Sequence, residues 1–248
     1  METDQALFNY LLRLADSSLI LSQRLAEWCG HGPILEEDIA LTNVSLDLLG
    51  HATALLTYAG KGKSADDLAF LRSEREYRNI LLAEQPNGDF ACTMLRQFLT
   101  DSWHYYLYAS LQKSKDETLA AISVKFLKEI TYHLRHSSGW VLRLGDGTAE
   151  SHLRIQNALD ELWSFTGDLF DSDSADELML AAGIGADLNE IRKQWTAHVS
   201  ELLNKATLKI PESSFMQKGS LQGRHTEYLG YLLAEMQYLP RTYRDAKW

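Results

Sequence analysis

Apolar residues recur along most of this chain at the spacing of α-helices. The first stripe steps by four and three residues through Leu7, Leu11, Leu14, Ser18, Leu21, Leu25 and Trp28. Glycines and a proline end the first helix at residues 30–33, and a second stripe runs over residues 41–58. A shorter helix is expected over residues 68–82. The pattern therefore predicts two long helices and a short one in the first third of the chain.

Two more long helices are predicted after the turn signal at residues 86–88. Their stripes cover residues 90–111 and 122–140. Further helical patterns follow at 155–169, 191–206 and 226–239, and residues 208–223 look extended and loop-like. Two long helical hairpins joined by a longer connection are the connectivity of a ferritin-like four-helix bundle.

The predicted fold class is therefore all-α, a ferritin-like four-helix bundle with additional C-terminal helices. We expect the core bundle over about 5–145 and the appended helices over about 150–245. The sequence contains no marked boundary, so a single domain over 1–248 is predicted.

Carboxylates and histidines interrupt the apolar stripes in a way that resembles a metal motif. Asp47 precedes His51 by four residues, and Glu129 precedes His133 by four. Ferritin-like di-iron proteins use Glu-x-x-His on two helices and one further Glu on each of the other two. Three residues before the two histidines stand Leu48 and Ile130, which cannot bind iron. The motif is therefore degenerate.

The third helix adds Asp101 and His104, while the first helix lacks its carboxylate. Residues at equal distance from a hairpin turn lie at the same height, which places Asp101 level with Glu129. On the first helix the corresponding stripe position is Ser18, and Asp16 lies near that height but off the stripe. One of the carboxylates needed for a di-iron site is therefore missing.

Three interpretations of these polar residues remain open from the sequence. The first treats Asp47–His51, Asp101–His104 and Glu129–His133 as charge-assisted pairs that satisfy each other in a helical core. The second is a surviving mononuclear or distorted metal site. The third is general acid–base chemistry without a metal. The first interpretation predicts no catalytic residue and no metal ligand in this chain.

Composition narrows the classes of partner. A net charge of −10 repels polyphosphate, so nucleic acid is not expected as a partner. No uninterrupted apolar run reaches about 18 residues, so no membrane segment is expected. Cys29 and Cys92 stand far apart, which favours the reducing cytoplasm, and both are expected to be buried. The charged run at residues 72–78 is interpreted as a solvated helix face.

Several longer strings resemble one protein family over essentially the whole chain. They are RLAEWCGHGP at 24–33, LDLLG at 46–50, EQPNGDFA at 84–91, YHLR at 132–135, HTEYLG at 225–230 and AEMQYL at 234–239. In this order they are similar to the C subunits of the bacterial ring-1,2-phenylacetyl-CoA epoxidase. Their length makes the resemblance specific.

The resemblance implies a component of a multicomponent monooxygenase of aerobic phenylacetate degradation. In that family the catalytic A subunit has a related fold and holds the di-iron centre, and a separate reductase subunit delivers electrons from NADPH. The C subunit is non-catalytic and has no cofactor of its own. It pairs with the A subunit and stabilises it, and the complex as a whole handles phenylacetyl-CoA.

The resemblance also suggests positions near the coenzyme A ester. These are Glu76, Tyr77, Arg78, Asn79, Glu177, Leu178 and Met179. His51 departs from relatives that carry glutamine there, which leaves open a residual metal at His51 or His133. The alternative function is a ferritin-like oxidoreductase with its own di-metal site, and the missing first-helix carboxylate argues against it.

Overall fold

Nine α-helices and three 3₁₀ turns form the secondary structure of residues 2–212, 215–244 and 246, which the computed structural model describes. These residues contain no strand, so the predicted all-α class is confirmed. The helices are α1 (Thr3–Ala26), α2 (Leu35–Ala59), α3 (Ala65–Phe70), α4 (Phe90–Leu111), α5 (Glu117–Gly145), α6 (Ala149–Leu162), α7 (Ser174–Ala181), α8 (Leu188–Lys205) and α9 (Glu227–Thr242).

The chain divides into two compact units. Unit 1 consists of Met1–Pro86 and Gly219–Trp248, and unit 2 consists of Asn87–Lys218. Unit 1 therefore contains α1, α2, α3 and α9, and unit 2 contains α4 to α8. The single domain expected from the sequence stays a prediction.

In unit 1, α1 and α2 form the first predicted hairpin. The stripe residues Leu11, Leu14, Leu21 and Leu25 are buried, as their spacing requires. Two serines allow close packing of the helices, because Ser22 Oγ donates to the Ser45 carbonyl at 2.8 Å and Ser45 Oγ donates to the Ser22 carbonyl at 2.9 Å.

The predicted helix over residues 68–82 is wrong beyond its first turn. Helix α3 ends at Phe70, and a 3₁₀ turn follows over Glu74–Glu76. Ser64 and Ser73 each form a capping box, which starts a new element at each serine. Tyr77 and residues 79–85 are buried but irregular, and side chains form many of the hydrogen bonds to the backbone of this segment.

Unit 2 contains the second predicted hairpin, α4 and α5. Asp89 and Asp116 start these helices by accepting from the amides of Cys92 at 3.0 Å and Leu119 at 2.8 Å. Helix α8 packs on α4, where Trp195 Nε1 donates to the Leu99 carbonyl at 3.0 Å. Helix α7 was not predicted, because its eight residues are too few for a clear stripe.

Helix α2 is unusually apolar. It is the one described helix long and apolar enough to cross a membrane, with a mean hydropathy of 1.3 over its best 18-residue window. Core helices of soluble proteins meet the same criterion, and 44% of that window is buried. The expectation of no membrane segment stays a prediction. Cys29, which was expected to be buried, is exposed just beyond α1.

Candidate functional site

In unit 1, the buried carboxylate of α1, Asp16, is bound by an arginine. Asp16 is fully buried and accepts from both terminal nitrogens of Arg72, at 2.9 Å from Nη1 and through a shorter contact from Nη2. The Arg78 amide donates to the same carboxylate at 2.9 Å. Burial opposes the charge of Arg72, but Asp16 outweighs it and the pKa of Arg72 is raised. The guanidinium thus supplies the positive charge that balances Asp16.

The surroundings of Arg72 hold it in this position. Its guanidinium carbon lies 4.3 Å from the centre of the Tyr77 ring, and Nη1 donates to the Glu76 carbonyl at 3.0 Å. Tyr77 is fully buried, and burial raises the pKa of its phenol. From α9, Gln237 Nε2 donates to the Tyr77 hydroxyl and to the Arg72 carbonyl, both at 3.0 Å. Helix α9 is therefore part of this site.

The expected metal positions on α2 are only partly suited to a metal. His51 is buried, and Asp47 is half-buried. Leu48 is fully buried at the position that a ligand would need, and Ser18 is buried on α1. Unit 1 therefore places aliphatic and hydroxyl groups where the di-iron pattern requires carboxylates.

In unit 2, Asp101 is the centre of a buried polar network. It accepts from Gln97 Nε2 at 2.6 Å and from Ser137 Oγ at 2.8 Å. Burial raises the pKa of Asp101 to about 6, although nearby His133 and these hydrogen bonds lower it. A carboxyl with this pKa changes its charge just below neutral pH.

His104 is not hydrogen-bonded to Asp101, so the predicted pair of these two residues is wrong. Neither ring nitrogen of His104 has a hydrogen-bond partner among the described residues. Instead its ring lies against Trp103 and Tyr108, at centroid distances of 5.0 and 5.8 Å. Burial lowers the pKa of His104 to about 3, so the imidazole is neutral at pH 7. On α4, His104 lies among aromatic rings, and the hydrogen bond to Asp101 that was expected from His104 comes from Ser137.

On α5, Glu129 is half-buried and His133 is buried. Ile130 is fully buried three residues before His133, where the motif would need a carboxylate. The pairs Asp47–His51 and Glu129–His133 stay predictions. Among the described residues, no group of three or more His, Cys, Asp or Glu side chains is arranged to hold a metal ion. Over residues 2–212, 215–244 and 246, the side chains therefore do not assemble the ligand set of a di-iron cluster.

A second buried carboxylate in unit 1 joins its two chain segments. Glu84 is fully buried and accepts from Asn79 Nδ2 at 2.8 Å and from the amide and hydroxyl of Thr226 at 2.6 and 2.8 Å. His225 lies between two acceptors, with Nδ1 2.9 Å from Glu84 Oε2 and Nε2 3.0 Å from the Tyr77 carbonyl. Both contacts are hydrogen bonds only if both ring nitrogens carry protons. Burial lowers the pKa of His225, but Glu84 outweighs it and the net shift is upward.

The positions expected near coenzyme A mostly have internal contacts in the structure. Tyr77, Asn79 and Met179 are fully buried. Glu76 closes the capping box of Ser73, and Arg78 Nη1 donates to the Arg75 and Tyr77 carbonyls at 2.7 and 2.6 Å. Glu177 and Leu178 are exposed on α7. Proximity of these residues to a coenzyme A ester stays a prediction.

Sequence reasoning missed three residues that organise unit 1: Arg72, Glu84 and His225. Arg72 belongs to the run at 72–78 that was interpreted as a solvated face; residues 73–76 are exposed, but the interpretation is wrong for Arg72, which is 8% exposed, and for Tyr77, which is fully buried. The partners of the three missed residues are distant in sequence, so spacing alone could not identify them.

Comparison with known proteins agrees with this fold. A family model described as "Phenylacetic acid catabolic protein" matches residues 1–248. The chain is 50% identical over 243 residues to the C subunit of the 1,2-phenylacetyl-CoA epoxidase of Escherichia coli (strain K12), covering 96% of this chain and 98% of that one. A solved Synechococcus protein with aldehyde deformylating oxidase activity shares the fold at a TM-score of 0.57 and 15% identity, over 84% of this chain and 95% of the other.

Proposed function

The chain belongs to the family of phenylacetic acid catabolic proteins and has a role in phenylacetate catabolism, and we propose that it is a non-catalytic subunit of a phenylacetyl-CoA epoxidase complex. It pairs with the catalytic A subunit and stabilises it, together with the other subunits of the complex. The di-iron centre belongs to the A subunit, and a separate reductase uses NADPH. This chain carries no cofactor, and the complex is cytoplasmic.

The observation that carries the proposal is the Asp16–Arg72 ion pair. A di-iron site needs carboxylates that compensate two metal ions, whereas on α1 the ligand position holds Ser18 and the nearby buried carboxylate, Asp16, compensates an arginine. Leu48 and Ile130 supply aliphatic side chains at two further ligand positions. An arginine and two aliphatic residues disfavour a metal cluster and are compatible with a purely structural helical interior.

Iron content tests the non-catalytic part of the proposal. We expect well under one iron atom per chain, by elemental analysis of protein expressed in iron-replete medium. Two iron atoms per chain would instead support an oxidoreductase with its own di-metal site. The same measurement on the A subunit serves as the positive control.

A turnover assay tests the role in the complex. Oxidation of phenylacetyl-CoA by the A subunit, the reductase and the other subunits is measured with and without this chain. We expect loss of oxidation when the chain is omitted, and lower solubility or a lower melting temperature of the A subunit alone. A partner that binds only the folded form stabilises it by mass action. Full activity without this chain contradicts the proposal.

A further inference from the structure

Helix α5 carries a line of basic residues on its exposed side, opposite to its buried face. The members of this basic stripe recur at steps of three and four residues, which places them in one line along the helix. They are Lys125, Lys128, Tyr132, Arg135, Gly139 and Arg143. All of them are exposed except Gly139, which is half-buried. At a rise of about 1.5 Å per residue, the basic stripe is about 27 Å long.

The charge of the basic stripe is opposite in sign to that of the rest of the chain. Four cations and one carboxylate, Glu129, give residues 118–145 a net charge of +3. The whole chain has a net charge of −10, so the residues outside this stretch carry −13. Glu129 is half-buried and lies off the stripe. The basic stripe is therefore a local positive surface on an acidic protein.

Within residues 2–212, 215–244 and 246, none of the four cations of the basic stripe forms an ion pair. Other exposed helices of unit 2 pair their cations with a carboxylate four residues away. On α6, Arg154 lies 2.7 Å from Glu150, and on α8, Lys205 lies 2.6 Å from Glu201. The surface of α5 thus leaves its positive charges available to another molecule.

The folding of α5 does not explain these charges. Lys125 and Lys128 are like charges three residues apart on one face, an arrangement that destabilises an isolated helix. A cation in the last turn of a helix interacts favourably with the helix dipole, but among the four cations only Arg143 stands there. The other three cations therefore favour a role outside the folded chain itself.

Aromatic rings lie beside the two arginines of the basic stripe. The guanidinium carbon of Arg135 lies 5.6 Å from the centre of the Tyr132 ring, and that of Arg143 lies 5.3 Å from the centre of the Trp140 ring. Tyr132 is 44% exposed. Gly139 stands between the arginines, and a Cβ atom built on it would meet no atom within 4 Å. A partner can therefore approach the backbone of α5 closely between the two guanidinium groups.

The shape and charge of the basic stripe fit a protein partner. The exposed face of a single helix is convex, whereas small-molecule sites are concave. Nucleic acids and anionic membranes are extended polyanions, which the net charge of −13 on the rest of the chain repels. A protein needs carboxylates only where it meets the stripe. Arginine and tyrosine, which the stripe presents, are enriched at protein interfaces.

We propose that the basic stripe of α5 is a docking surface for another protein, whose contacting face carries carboxylates opposite Lys128, Arg135 and Arg143. This inference does not depend on the function proposed above. A strip 27 Å long and about 10 Å wide covers roughly 270 Å², which is well below the roughly 800 Å² that each partner contributes to a stable interface. The contact is therefore transient, steered by charge and weakened by salt.

An acidic helical peptide tests this proposal. The probe is a fluorescent alanine peptide of about 20 residues, about 30 Å long, with a glutamate at every third or fourth position. Its fluorescence anisotropy is titrated with the full chain. We expect saturable binding at an ionic strength of about 0.01 M, and weaker binding at about 0.15 M. The same peptide with glutamine in place of every glutamate should not bind.

Charge-reversal variants locate the binding. Lys128→Glu and Arg135→Glu should each weaken binding of the peptide at least about tenfold, because a carboxylate then faces a carboxylate. Their circular dichroism melting curves should stay close to the wild type, since both positions are exposed. The matched control is Arg192→Glu on α8. Arg192 is also exposed and lies 5.9 Å from the centre of the Phe170 ring, but we expect affinity within about twofold of the wild type.

Three results overturn the proposal. The first is no saturable binding of the glutamate peptide, and the second is equal affinity of the wild type and Arg135→Glu. The third is a loss in Arg192→Glu as large as that in Arg135→Glu, which assigns the binding to overall charge and not to α5. Duplex DNA and vesicles of phosphatidylglycerol with phosphatidylcholine are titrated in parallel. If either binds more tightly than the peptide and loses affinity in Arg135→Glu, the assignment of a protein partner is wrong.

Discussion

Replacing Arg72 with methionine removes the counter-ion of a fully buried carboxylate. Asp16 loses both bonds from the guanidinium and keeps the Arg78 amide at 2.9 Å. A hydrogen bond to a charged group is worth about 1.5–3 kcal/mol, so two such bonds amount to about 3–6 kcal/mol. Removing one partner of a buried ion pair typically costs about 3–5 kcal/mol. We therefore expect Arg72→Met to lower the free energy of unfolding by about 3–5 kcal/mol.

The double variant Asp16→Leu/Arg72→Met isolates the charge from the packing. Replacing both members of a buried pair with apolar residues of similar volume is often close to neutral. Arg72 also donates to the Glu76 carbonyl and lies over the Tyr77 ring, so some loss remains. We expect the double variant to lose about 1–2 kcal/mol, less than either single variant.

Urea unfolding at pH 7, followed by circular dichroism, measures these differences. Because the two units can unfold separately, hydrogen exchange of amides in α1 assigns the transition to unit 1. The matched control is Lys61→Met, which breaks the ion pair with Asp4 where both side chains are largely exposed. A surface pair is worth about 0–1 kcal/mol. The reasoning is refuted if Arg72→Met lowers the free energy of unfolding by no more than Lys61→Met does. It is also refuted if the losses of the two single variants simply add in the double variant.

Other predictions concern single groups. The pKa of Asp101 is about 6, above its ordinary 3.8, so the stability that this carboxyl contributes falls as pH rises from about 4 to 6. In Asp101→Asn, the urea concentration at the unfolding midpoint should no longer show this fall with pH. The pKa of His104 is about 3, below 6.5, so its contribution rises over pH 3–6.5; His104→Phe should remove this rise, and an unchanged pH profile refutes the assignment. Because the pKa of His225 is raised, its protonated imidazole stabilises unit 1 fully below pH 6.5, and this stabilisation is lost as pH rises through the folded-state pKa. Hydrogen exchange in α9, corrected for intrinsic rates, should therefore accelerate at alkaline pH in the wild type but not in His225→Ala. Gly223 has φ +66° and its built Cβ lies 2.1 Å from the Arg75 carbonyl oxygen, so Gly223→Ala should lower the melting temperature by several degrees, and an unchanged value contradicts this close approach.

The long helices could be predicted from the sequence because each needs only a local pattern. The stripes of α1, α2, α4 and α5 identify their buried faces, and N-caps such as Asp89 and Asp116 fix where α4 and α5 begin. Residues 68–82 failed because their apolar residues are buried in irregular backbone. Hydrophobic spacing cannot distinguish that case from a helix, because the side chains of Asp16 and Ser17 accept from the Arg78 and Ile80 amides in place of helical backbone bonds.

The defect of the metal motif could also be predicted, but the contacts that replace it could not. Leu48 and Ile130 stand three residues before His51 and His133, where the motif has a glutamate, so the local spacing alone shows that these ligands are missing. Asp16 and Arg72 are 56 residues apart, and His225 and Glu84 are 141 apart. An ion pair over such separations leaves no periodic signal in a single sequence, because either partner alone resembles a surface charge.

The division of unit 1 into two chain segments has a consequence for biosynthesis. Glu84 is translated early, whereas His225 and Thr226, which supply three of its contacts, emerge only after roughly 130 residues of unit 2. At about 5–20 residues per second, the ribosome needs on the order of ten seconds for that stretch. During this time α2 has been synthesised, but unit 1 cannot form the contacts of Glu84 with His225 and Thr226. Unit 2 can therefore fold first on the ribosome, and a nascent chain stalled before residue 225 leaves unit 1 open to chaperones and proteases.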